Sequence, residues 1–365
     1  MIKLKIRVPA VEEGQYTIQI GSGLLAGLWD RIKADYPKST RFVVTDQNLV
    51  DAGQLNILSG GRDIPAYVIN PPGEVSKTID TAIHIVETME QAYLGRDSVI
   101  VALGGGTVGD IAGFAAAMFK RGIPVVQVPT TTLAQADSAV GGKTGVDSSL
   151  SKNAFGAFWH PSAVYIDVDT LKTLDDREFR SGLVESVKHA LIADAEYFDT
   201  LEANLEAILA REPEVLKTIA LKNCQTKGHV VEIDPNEKNM RRILNYGHTV
   251  GHAVESASDY TLLHGESIAV GIVAAGLIEM ELGIGDPARL DRVLALLEKL
   301  GMPTKIPAQI TEQQLIDLIK RDKKAVDQWP KFVLINQIGQ VHQVEGQWAV
   351  SVERTVVEKV LKRLY

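Results

Sequence analysis

Two histidines four residues apart mark the segment of the chain with the clearest potential for metal chemistry. His248 and His252 lie in "NYGHTVGH", and His264 follows in "LLHGES". A four-residue step on a helix places two side chains on one face, about 5–6 Å apart at Cβ, so two imidazoles could share a metal ion. Thr249 follows the first histidine, where the HExxH signature of zinc hydrolases has glutamate, so that signature is absent.

A carboxylate completes the candidate metal set. Glu185 occurs in "GLVESVKHA", with Lys188 three residues later on the same helical face. One glutamate and two histidines form a common catalytic zinc set, which leaves a fourth position open for substrate. Because four protein ligands would close the site, one of Glu185, His248, His252 and His264 should not bind the metal. The residues alone leave open which one, and they also leave open that the histidines are ordinary helical residues.

The segment "VALGGGTVGD" fits the pattern G-x-G-x-x-G through Gly104, Gly106 and Gly109. It follows a predicted strand and opens a predicted helix, as a dinucleotide-binding loop requires. The acid expected after the next strand is missing from "PVVQVPTTT", so Asp46, at the end of "RFVVTD", is the better candidate for binding a ribose. The alternative is a tight strand–helix turn with no ligand.

Five cations in or near the motifs predict an anion site. They are Arg121 before Gly122, Lys143 after Gly142, Lys152 before Asn153, Arg241 in "RRILNYGH" and Lys323 in "RDKKA". Each one alone is typical of a solvated surface charge. The segment "GGKTG" around Lys143 is not a P-loop, because Asp137 stands where the first glycine of that motif would be.

The secondary structure predicted to position these residues differs between the first and second parts of the chain. Apolar runs predict strands at 2–8, 41–46, 66–70, 98–106, 123–129 and 163–168, alternating with helices such as 77–94. Amphipathic stretches then predict helices at 176–193, 196–209, 213–230, 245–258, 265–282, 288–300 and 311–324, with one strand at 331–339. We therefore expect an α/β domain with a parallel sheet over 1–172 and a mainly helical domain over 173–365.

Composition narrows the class of protein. The net charge of -8 argues against a surface that binds duplex nucleic acid. The single cysteine, Cys224, excludes an internal disulfide framework and favours a reducing cytoplasm. We expect no membrane span and no signal peptide, because the amino-terminal segment alternates apolar and basic residues.

Taken together, the motifs resemble the 3-dehydroquinate synthase family of sugar-phosphate cyclases over nearly the whole chain. The resemblance rests on "PPGEVSKT", "LGGGTVGDIAGFAAAMFKRG", "QVPTTTLAQADSAVGGKTGVD", "SKNAFGAFWHP", "ILNYGHTVGHAVE", "LHGESIAVG" and "RDKK". It implies a Rossmann-like NAD-binding domain, a helical domain, and an active site in the cleft between them. The implied enzyme uses NAD and zinc, with cobalt as the alternative ion.

The implied reaction converts 3-deoxy-D-arabino-heptulosonate 7-phosphate, a phosphorylated keto acid, to 3-dehydroquinate and phosphate. It would proceed by transient oxidation of the C5 alcohol with NAD, β-elimination of phosphate, re-reduction, ring opening and an intramolecular aldol step. The resemblance also implies a homodimer, in which Arg121 reaches the neighbouring subunit's phosphate site.

The resemblance assigns a role to each matching residue. Glu185, His248 and His264 match the metal ligands, which leaves His252 to face the substrate phosphate. The catalytic matches are Asp137, Lys143, Asn153, Lys188, Glu237, Asn245 and His252. The substrate-binding matches are Arg121, Lys152, Lys227, Arg241 and Lys323, and the planar guanidinium of Arg241 suits a carboxylate. The cofactor matches are Asp46, Asn48, Glu74, Lys77, Gly105, Gly106, Asp110, Thr130, Thr131, Lys143, Lys152 and Thr173.

The chain departs from the family pattern at a few positions, and other functions remain as alternatives. Ser151 replaces the usual glycine before Lys152, and "WHP" replaces a frequent "QP". The alternatives are a related cyclase acting on a substrate without a carboxylate, such as an inosose or valiolone synthase, a metal-dependent polyol dehydrogenase, and a non-catalytic NAD-binding protein.

Overall fold

A computed structural model describes residues 14–320 and 329–365. The strand predicted at 2–8 and the substrate contact assigned to Lys323 in "RDKK" lie outside the described residues. Within the described ranges, no helix combines the length and the apolar composition needed to cross a bilayer.

A six-stranded parallel sheet forms the first half of the described chain, as predicted. The strands of this half are β1 (Thr17–Gly21), β2 (Thr40–Asp46), β3 (Ala66–Ile69), β4 (Ser98–Gly104), β5 (Val125–Pro129), β6 (Lys143–Val146), β7 (Phe155–Phe158) and β8 (Ala163–Asp167). The sheet order is β1-β8-β5-β4-β2-β3, and β6 and β7 form a separate antiparallel hairpin. Every residue of β4 is buried, as expected for a parallel strand covered on both faces.

Helices cover both faces of the sheet. They are α1 (Leu28–Asp35), α2 (Gln47–Asp51), α3 (Gln54–Ser59), α4 (Ile79–Gln91) and α5 (Gly106–Met118). Along β2, Phe42 and Val44 belong to the core that includes α4 and α5, whereas Val43 belongs to the core that includes α1. This alternation follows from the two-residue period of a strand.

The β6–β7 hairpin packs against α5. The sequence analysis did not predict it, because "KTGV" and "FGAF" are short and each contains glycine, which weakens a strand signal. Its register pairs Lys143 with Phe158 and Val146 with Phe155. The hairpin therefore places Lys143 at the end of a ladder instead of in a loop.

The second half is mainly helical, as predicted. Its helices are α6 (Asp176–Ala193), α7 (Ala195–Ala203), α8 (Leu205–Leu209), α9 (Pro213–Ile233), α10 (His248–Ala257), α11 (His264–Glu281), α12 (Pro287–Lys299), α13 (Glu312–Lys320) and α14 (Arg354–Arg363). The predicted helix 196–209 is divided at Asn204, whose side chain donates to the Thr200 carbonyl at 2.9 Å. Such bonds compete with the helical ladder. The predicted helix 245–258 begins only at His248, because Gly247 has a left-handed φ of 76°.

The prediction of one strand over 331–339 is wrong. The region holds β9 (Lys331–Phe332) and β10 (Ile335–Gln337), and the strands β11 (Gln340–Val341) and β12 (Val350–Ser351) follow. β10 pairs with β11, and β9 pairs with β12, in two short antiparallel ladders. Gly339, with φ 84°, forms the turn that reverses the chain after β10.

The two halves meet at the turn Ala134–Ser138, which follows β5 and packs against α6 and α9. The Thr132 hydroxyl donates to the Phe179 carbonyl at 2.8 Å and so fixes this turn to α6. Asp137, in the turn, is thereby held between the carboxyl edge of the sheet and the helices.

Candidate active site

The residues predicted to bind the cofactor lie mainly at the carboxyl ends of neighbouring strands. Asp46 ends β2, Gly105 follows β4, and Thr130 follows β5, and these strands are adjacent in the order β5-β4-β2. Open parallel sheets bind ligands at this edge. The Asp46 carboxylate accepts the Leu49 N–H at 3.1 Å and so holds α2, with Asn48, beside it. Thr173 lies beyond β8, where its hydroxyl accepts a hydrogen bond from Gln54 at 2.6 Å.

The glycines at the start of α5 allow close approach on two sides. A Cβ on Gly109 would lie 2.8 Å from the Gln127 amide oxygen of β5, so this glycine serves helix–strand packing. A Cβ on Gly105 would lie 3.0 Å from Thr131, and one on Gly106 would lie 3.1 Å from Ser138. The free N–H groups at this helix terminus suit an anion such as a pyrophosphate.

An ion network lies beside this helix terminus. The buried Lys77 ammonium is 2.7 Å from Asp110 and 3.9 Å from Glu74, and Glu74 is in turn 3.6 Å from the ammonium of Lys152. Burial lowers the pKa of Lys77, but the Asp110 and Glu74 carboxylates more than offset it and raise the pKa above its ordinary value. Lys77 is therefore a fixed cation at the cofactor edge.

A cavity of about 450 Å³ extends from this edge towards the helices. Of the predicted site residues, those that line it are Asp110, Asp137, Lys143, Asn153 and Lys227. They come from α5, the turn after β5, the hairpin region and α9. The structure thus brings these residues to one cavity, although they are far apart in the sequence.

Asp137 and Lys227 form a pair at the inner wall of the cavity. The Lys227 ammonium is 2.9 Å from the Asp137 carboxylate and also donates to the Asp137 carbonyl. Burial works against ionisation of Asp137, but the neighbouring Lys227 and Lys188 ammonium groups hold its pKa below its ordinary value. Burial lowers the pKa of Lys227, although the Asp137 carboxylate opposes that shift. The pair therefore presents a fixed carboxylate, held against an ammonium group, to a ligand.

Glu237 links the hairpin to the segment that precedes α10. It forms an ion pair with Lys143 and accepts a hydrogen bond from the Asn245 amide at 3.0 Å. Asn245 also donates to the Arg242 carbonyl at 3.1 Å. These contacts bring together three of the residues predicted to be catalytic.

Arg241 is almost completely buried, with 1% of its surface exposed. Its guanidinium donates to the Pro235 carbonyl at 2.7 Å and to the Gly141 carbonyl at 3.1 Å. Its Nε atom is buried without a hydrogen-bond partner in the described part of the chain. The arginine is therefore held rigidly and keeps one buried donor available, which is compatible with the predicted role of binding an anion.

The metal candidates converge where α6, α10 and α11 meet. The Nε2 atoms of His248 and His264 lie 3.7 Å and 3.6 Å from Oε1 of Glu185. One nitrogen of each of His248, His252 and His264 lies within 4.8 Å of the others. Oε1 of Glu185 thus faces both imidazoles, while Oε2 faces the Lys188 ammonium. Two imidazoles aimed at a buried carboxylate form a donor set that fits zinc or cobalt.

Lys188 compensates the charge of Glu185 inside the helical core. The two side chains form an ion pair one turn apart on α6 and are 2% and 1% exposed. Burial opposes ionisation of Glu185, but Lys188 and the two histidines hold its pKa well below its ordinary value. The carboxylate is thus ready to bind a metal without first losing a proton.

Glycines set the spacing of the three helices that carry these candidates. A Cβ on Gly271 of α11 would overlap the carbonyl oxygen of Gly247, at the start of α10. A Cβ on Gly265 of α11 would overlap the carbonyl oxygen of Ser181 of α6. A Cβ on Gly251 of α10 would lie 3.1 Å from the Cα of Ile268 of α11. The helices therefore cross with their main chains in contact.

Sequence reasoning missed two buried residues at this site. His189 is fully buried, and burial next to Lys188 lowers its pKa to about 4; its Nδ1 is 3.0 Å from the Asn223 amide oxygen. Glu255 is 9% exposed and lies against His264 and Lys152. The sequence held one signal for each, since His189 follows Lys188 directly and Glu255 lies seven residues after His248.

Arg121 stands apart from the other predicted residues. It is exposed, has a φ of 70°, and does not line the cavity described above. Trp159 packs against the adjacent Gly122, and its indole N–H donates to the Ile123 carbonyl at 3.0 Å. This turn therefore presents the arginine outwards.

Comparison with known proteins identifies the family. The models of the amino-terminal and carboxy-terminal parts of 3-dehydroquinate synthase match residues 67–181 and 182–325. The chain belongs to the 3-dehydroquinate synthase family. A 3-dehydroquinate synthase of Symbiobacterium thermophilum is 45% identical over 318 residues, which make up 86% of this chain and 88% of that relative.

Solved structures of two other sugar-phosphate cyclases resemble this member of the 3-dehydroquinate synthase family. A 2-epi-5-epi-valiolone synthase of Streptomyces hygroscopicus, with NAD+ and Zn2+ bound, is 29% identical with a TM-score of 0.87, covering 98% of this chain and 99% of that one. A 2-deoxy-scyllo-inosose synthase complexed with carbaglucose-6-phosphate, NAD+ and Co2+ is 26% identical with a TM-score of 0.84, covering 95% and 96%. The sequence prediction of the family and of the two-part fold is confirmed.

Proposed function

We propose that the protein is an NAD- and zinc-dependent lyase that converts 3-deoxy-D-arabino-heptulosonate 7-phosphate to 3-dehydroquinate and phosphate. The observation that carries the proposal is that one lysine connects the cofactor edge to the metal cluster. The Lys152 ammonium is 3.6 Å from Glu74 and 3.4 Å from Glu255, and Glu255 is 3.6 Å from His264. The names of the relatives and the cofactors of the two related cyclases support it.

NAD would bind at the carboxyl edge of the sheet, and when bound it would supply the transient oxidation of the substrate alcohol. The chain supplies Asp46 for a ribose and the amino terminus of α5, with Gly105 and Gly106, for the pyrophosphate. Lys77 and Asp110 fix the surroundings of that terminus through their ion pair of 2.7 Å. The other members of the proposed cofactor set are Asn48, Glu74, Thr130, Thr131, Lys143, Lys152 and Thr173.

Zinc would bind Glu185, His248 and His264 and would polarise the substrate oxygen that is oxidised. His252, whose ring centre is 4.9 Å from that of His248, would face the substrate phosphate instead. Metal analysis of two matched variants tests this choice. His248→Ala should lose zinc, whereas His252→Ala should retain zinc and lose turnover; equal loss of zinc in both variants would overturn the assignment.

The substrate would occupy the cavity between the two halves. Asp137, Lys143, Asn153 and Lys227 line it, and Lys188, Glu237 and Asn245 contact residues of its wall or of the metal cluster. Lys152 and Lys227 carry charges that suit a phosphate. The buried Nε–H of Arg241 suits the substrate carboxylate. The protein would mainly position and polarise a substrate whose own phosphate can accept the proton.

A phosphate-release assay with the purified protein, NAD and zinc tests the proposed reaction. The heptulosonate phosphate should yield one phosphate per 3-dehydroquinate, with no accumulation of NADH. Net formation of NADH would instead indicate a polyol dehydrogenase. Release of phosphate only from a sugar phosphate without a carboxylate would indicate one of the other cyclases, which the structural similarity keeps as the second candidate.

We further propose the arrangement of the chain and of its assembly. The division into domains 1–172 and 173–365 is supported by the end of the last sheet strand at Asp167 and the start of α6 at Asp176. We also propose a homodimer in the cytoplasm, with Arg121 reaching the partner's site. The exposed position of Arg121 supports the contact, and the single cysteine supports the location. Mixing inactive Arg121→Ala with an inactive Lys188→Met variant should restore activity in heterodimers; no restoration would contradict the shared site.

A further inference from the structure

Glu255 lies between the metal cluster and the phosphate-binding candidate Lys152, and each of its two oxygens faces a different partner. Oε2 is 3.6 Å from Nδ1 of His264, and Oε1 is 3.4 Å from the ammonium of Lys152. Glu255 lies on α10, and its side chain is 11% exposed. A carboxylate this buried requires partners of opposite charge or hydrogen-bond donors.

The two histidines that face Glu185 have matching orientations. His248 directs Nε2 to Glu185 at 3.7 Å and holds Nδ1 at 3.0 Å from the Tyr246 carbonyl. His264 directs Nε2 to Glu185 at 3.6 Å and Nδ1 to Glu255. In both rings the nitrogen away from the metal cluster thus meets an oxygen. The difference is that His248 meets a neutral carbonyl, whereas His264 meets a carboxylate.

An oxygen at Nδ1 determines which nitrogen of an imidazole carries the proton. A histidine that donates Nδ1–H to a carboxylate leaves the Nε2 lone pair for a metal and becomes a more basic ligand. The second oxygen of Glu255 holds Lys152, which also lies 4.2 Å from the centre of the Tyr260 ring and 3.6 Å from Glu74. One carboxylate therefore contacts a metal candidate and a phosphate candidate at the same time.

We propose that Glu255 is a positioning residue that fixes the Nδ1–H tautomer of His264 for metal binding and anchors Lys152 beside it. The proposal rests on the proposed role of His264 as a metal ligand. It makes the affinity for zinc depend on a residue that does not itself bind the ion. It also joins the metal centre to the lysine that would meet the substrate phosphate.

Zinc affinity of the full-length apoprotein, measured by competition with a chelator, tests the first part. Glu255→Gln keeps the size of the side chain but removes the charge, and it should raise the Kd for zinc by about 10- to 100-fold. Glu74→Gln is the matched control, because it removes the other carboxylate partner of Lys152, while the contacts of Glu74 are with Thr107, Lys77 and Lys152. Its Kd for zinc should equal that of the wild type. A Kd for Glu255→Gln within twofold of the wild type would overturn the proposal.

Nitrogen-15 shifts of His264 separate positioning from a general loss of structure. In the wild type, the zinc-free protein near pH 10 should show the proton on Nδ1. Glu255→Leu, which removes both acceptor oxygens, should show a mixture of tautomers or the proton on Nε2. An unchanged Nδ1–H tautomer in Glu255→Leu would overturn the proposal. A circular dichroism spectrum matching the wild type excludes unfolding of the variant.

The variant His264→Ala separates failure of this inference from failure of the proposed metal site. If His264→Ala binds zinc like the wild type, the assignment of His264 as a ligand is wrong, and the role of Glu255 falls with it. If His264→Ala loses zinc and Glu255→Gln does not, only the inference about Glu255 fails. The expected result is loss of zinc in His264→Ala and weakened binding in Glu255→Gln.

Discussion

The cofactor edge of the sheet and the metal cluster of the helices both depend on paired charges, but they hold them in different surroundings. The Lys152–Glu74 pair at the edge is 36% and 44% exposed, whereas the Lys188–Glu185 pair is 2% and 1% exposed. Exposed pairs contribute about 0–1 kcal/mol, whereas removing one partner of a buried pair costs about 3–5 kcal/mol. The Lys152–Glu74 pair can therefore exchange partners with a ligand, while the cluster must keep its charges balanced.

The largest effect should come from breaking the buried pair. Lys188→Met leaves the Glu185 carboxylate buried without its cation, so the free energy of unfolding of the zinc-free protein should fall by about 3–5 kcal/mol. Lys222→Met is the control, because its pair with Asp194 is 33% and 27% exposed and should cost at most about 1 kcal/mol. Urea unfolding measures both.

Zinc sharpens this first prediction. Because a bound cation also neutralises Glu185, saturating zinc should reduce the loss caused by Lys188→Met. If metal-free Lys188→Met were as stable as the wild type, the buried Lys188–Glu185 pair would contribute no more to stability than the exposed Lys152–Glu74 pair.

The second effect concerns the spacing of the helices in the cluster. Gly271→Ala forces α10 and α11 apart and should cost about 1–3 kcal/mol of stability, with weaker zinc binding. Gly228→Ala, in α9 with open space around it, should instead stabilise the protein by about 0.5–1 kcal/mol. Thermal unfolding and zinc titration compare the two. Equal effects would contradict main-chain contact between the helices.

The third effect tests whether NAD binding at the cofactor edge is independent of zinc binding at the metal cluster. Asp46→Ala should raise the Kd for NAD about 10-fold or more, because a buried acceptor is lost, and should leave zinc binding unchanged. Asp51→Ala, at the exposed end of α2, is the control and should change neither. Fluorescence titration with NAD and metal analysis measure both. Loss of zinc in Asp46→Ala would mean that the two regions are not independent.

The smallest effect should be that of a pair on the outside of the sheet domain. Lys120 and Glu90 are 2.6 Å apart and 40% and 53% exposed. Lys120→Met should therefore change the free energy of unfolding by less than about 1 kcal/mol, and added salt should reduce the difference further. If Lys120→Met lost more free energy of unfolding than this in urea, exposed and buried pairs would not differ in their contribution to stability.

The same contrast explains what could be predicted from the sequence. The residues of the cofactor edge follow strands whose apolar runs are plain in the sequence, and a parallel sheet brings strand ends together. The positions of Asp46 and Gly105 at one edge therefore follow from the order of the strands and helices along the chain. The hairpin that carries Lys143 could not be predicted in this way, because its strands are short and contain glycine.

The metal cluster was only partly predictable. The spacing of His248 and His252 and the position of Glu185 indicated a metal, but not how the helices cross. Glu255 and His189 were missed because their roles depend on contacts between helices that no local spacing encodes. The strand predicted at 331–339 failed because residues 333–334 leave the strand conformation and divide an apolar run that reads as continuous.

The helices cross at Gly247, Gly265 and Gly271, and these contacts determine which substitutions can alter the spacing of the metal site. Main-chain atoms, whose dimensions are the same in every protein, set the distance between the helices that bear Glu185, His248 and His264. Substitutions among the apolar side chains around α11 can alter the volume of the core without moving these helices apart. The spacing of the metal-binding side chains is therefore insensitive to most substitutions in the core. It depends instead on the few glycine positions where any side chain is too large.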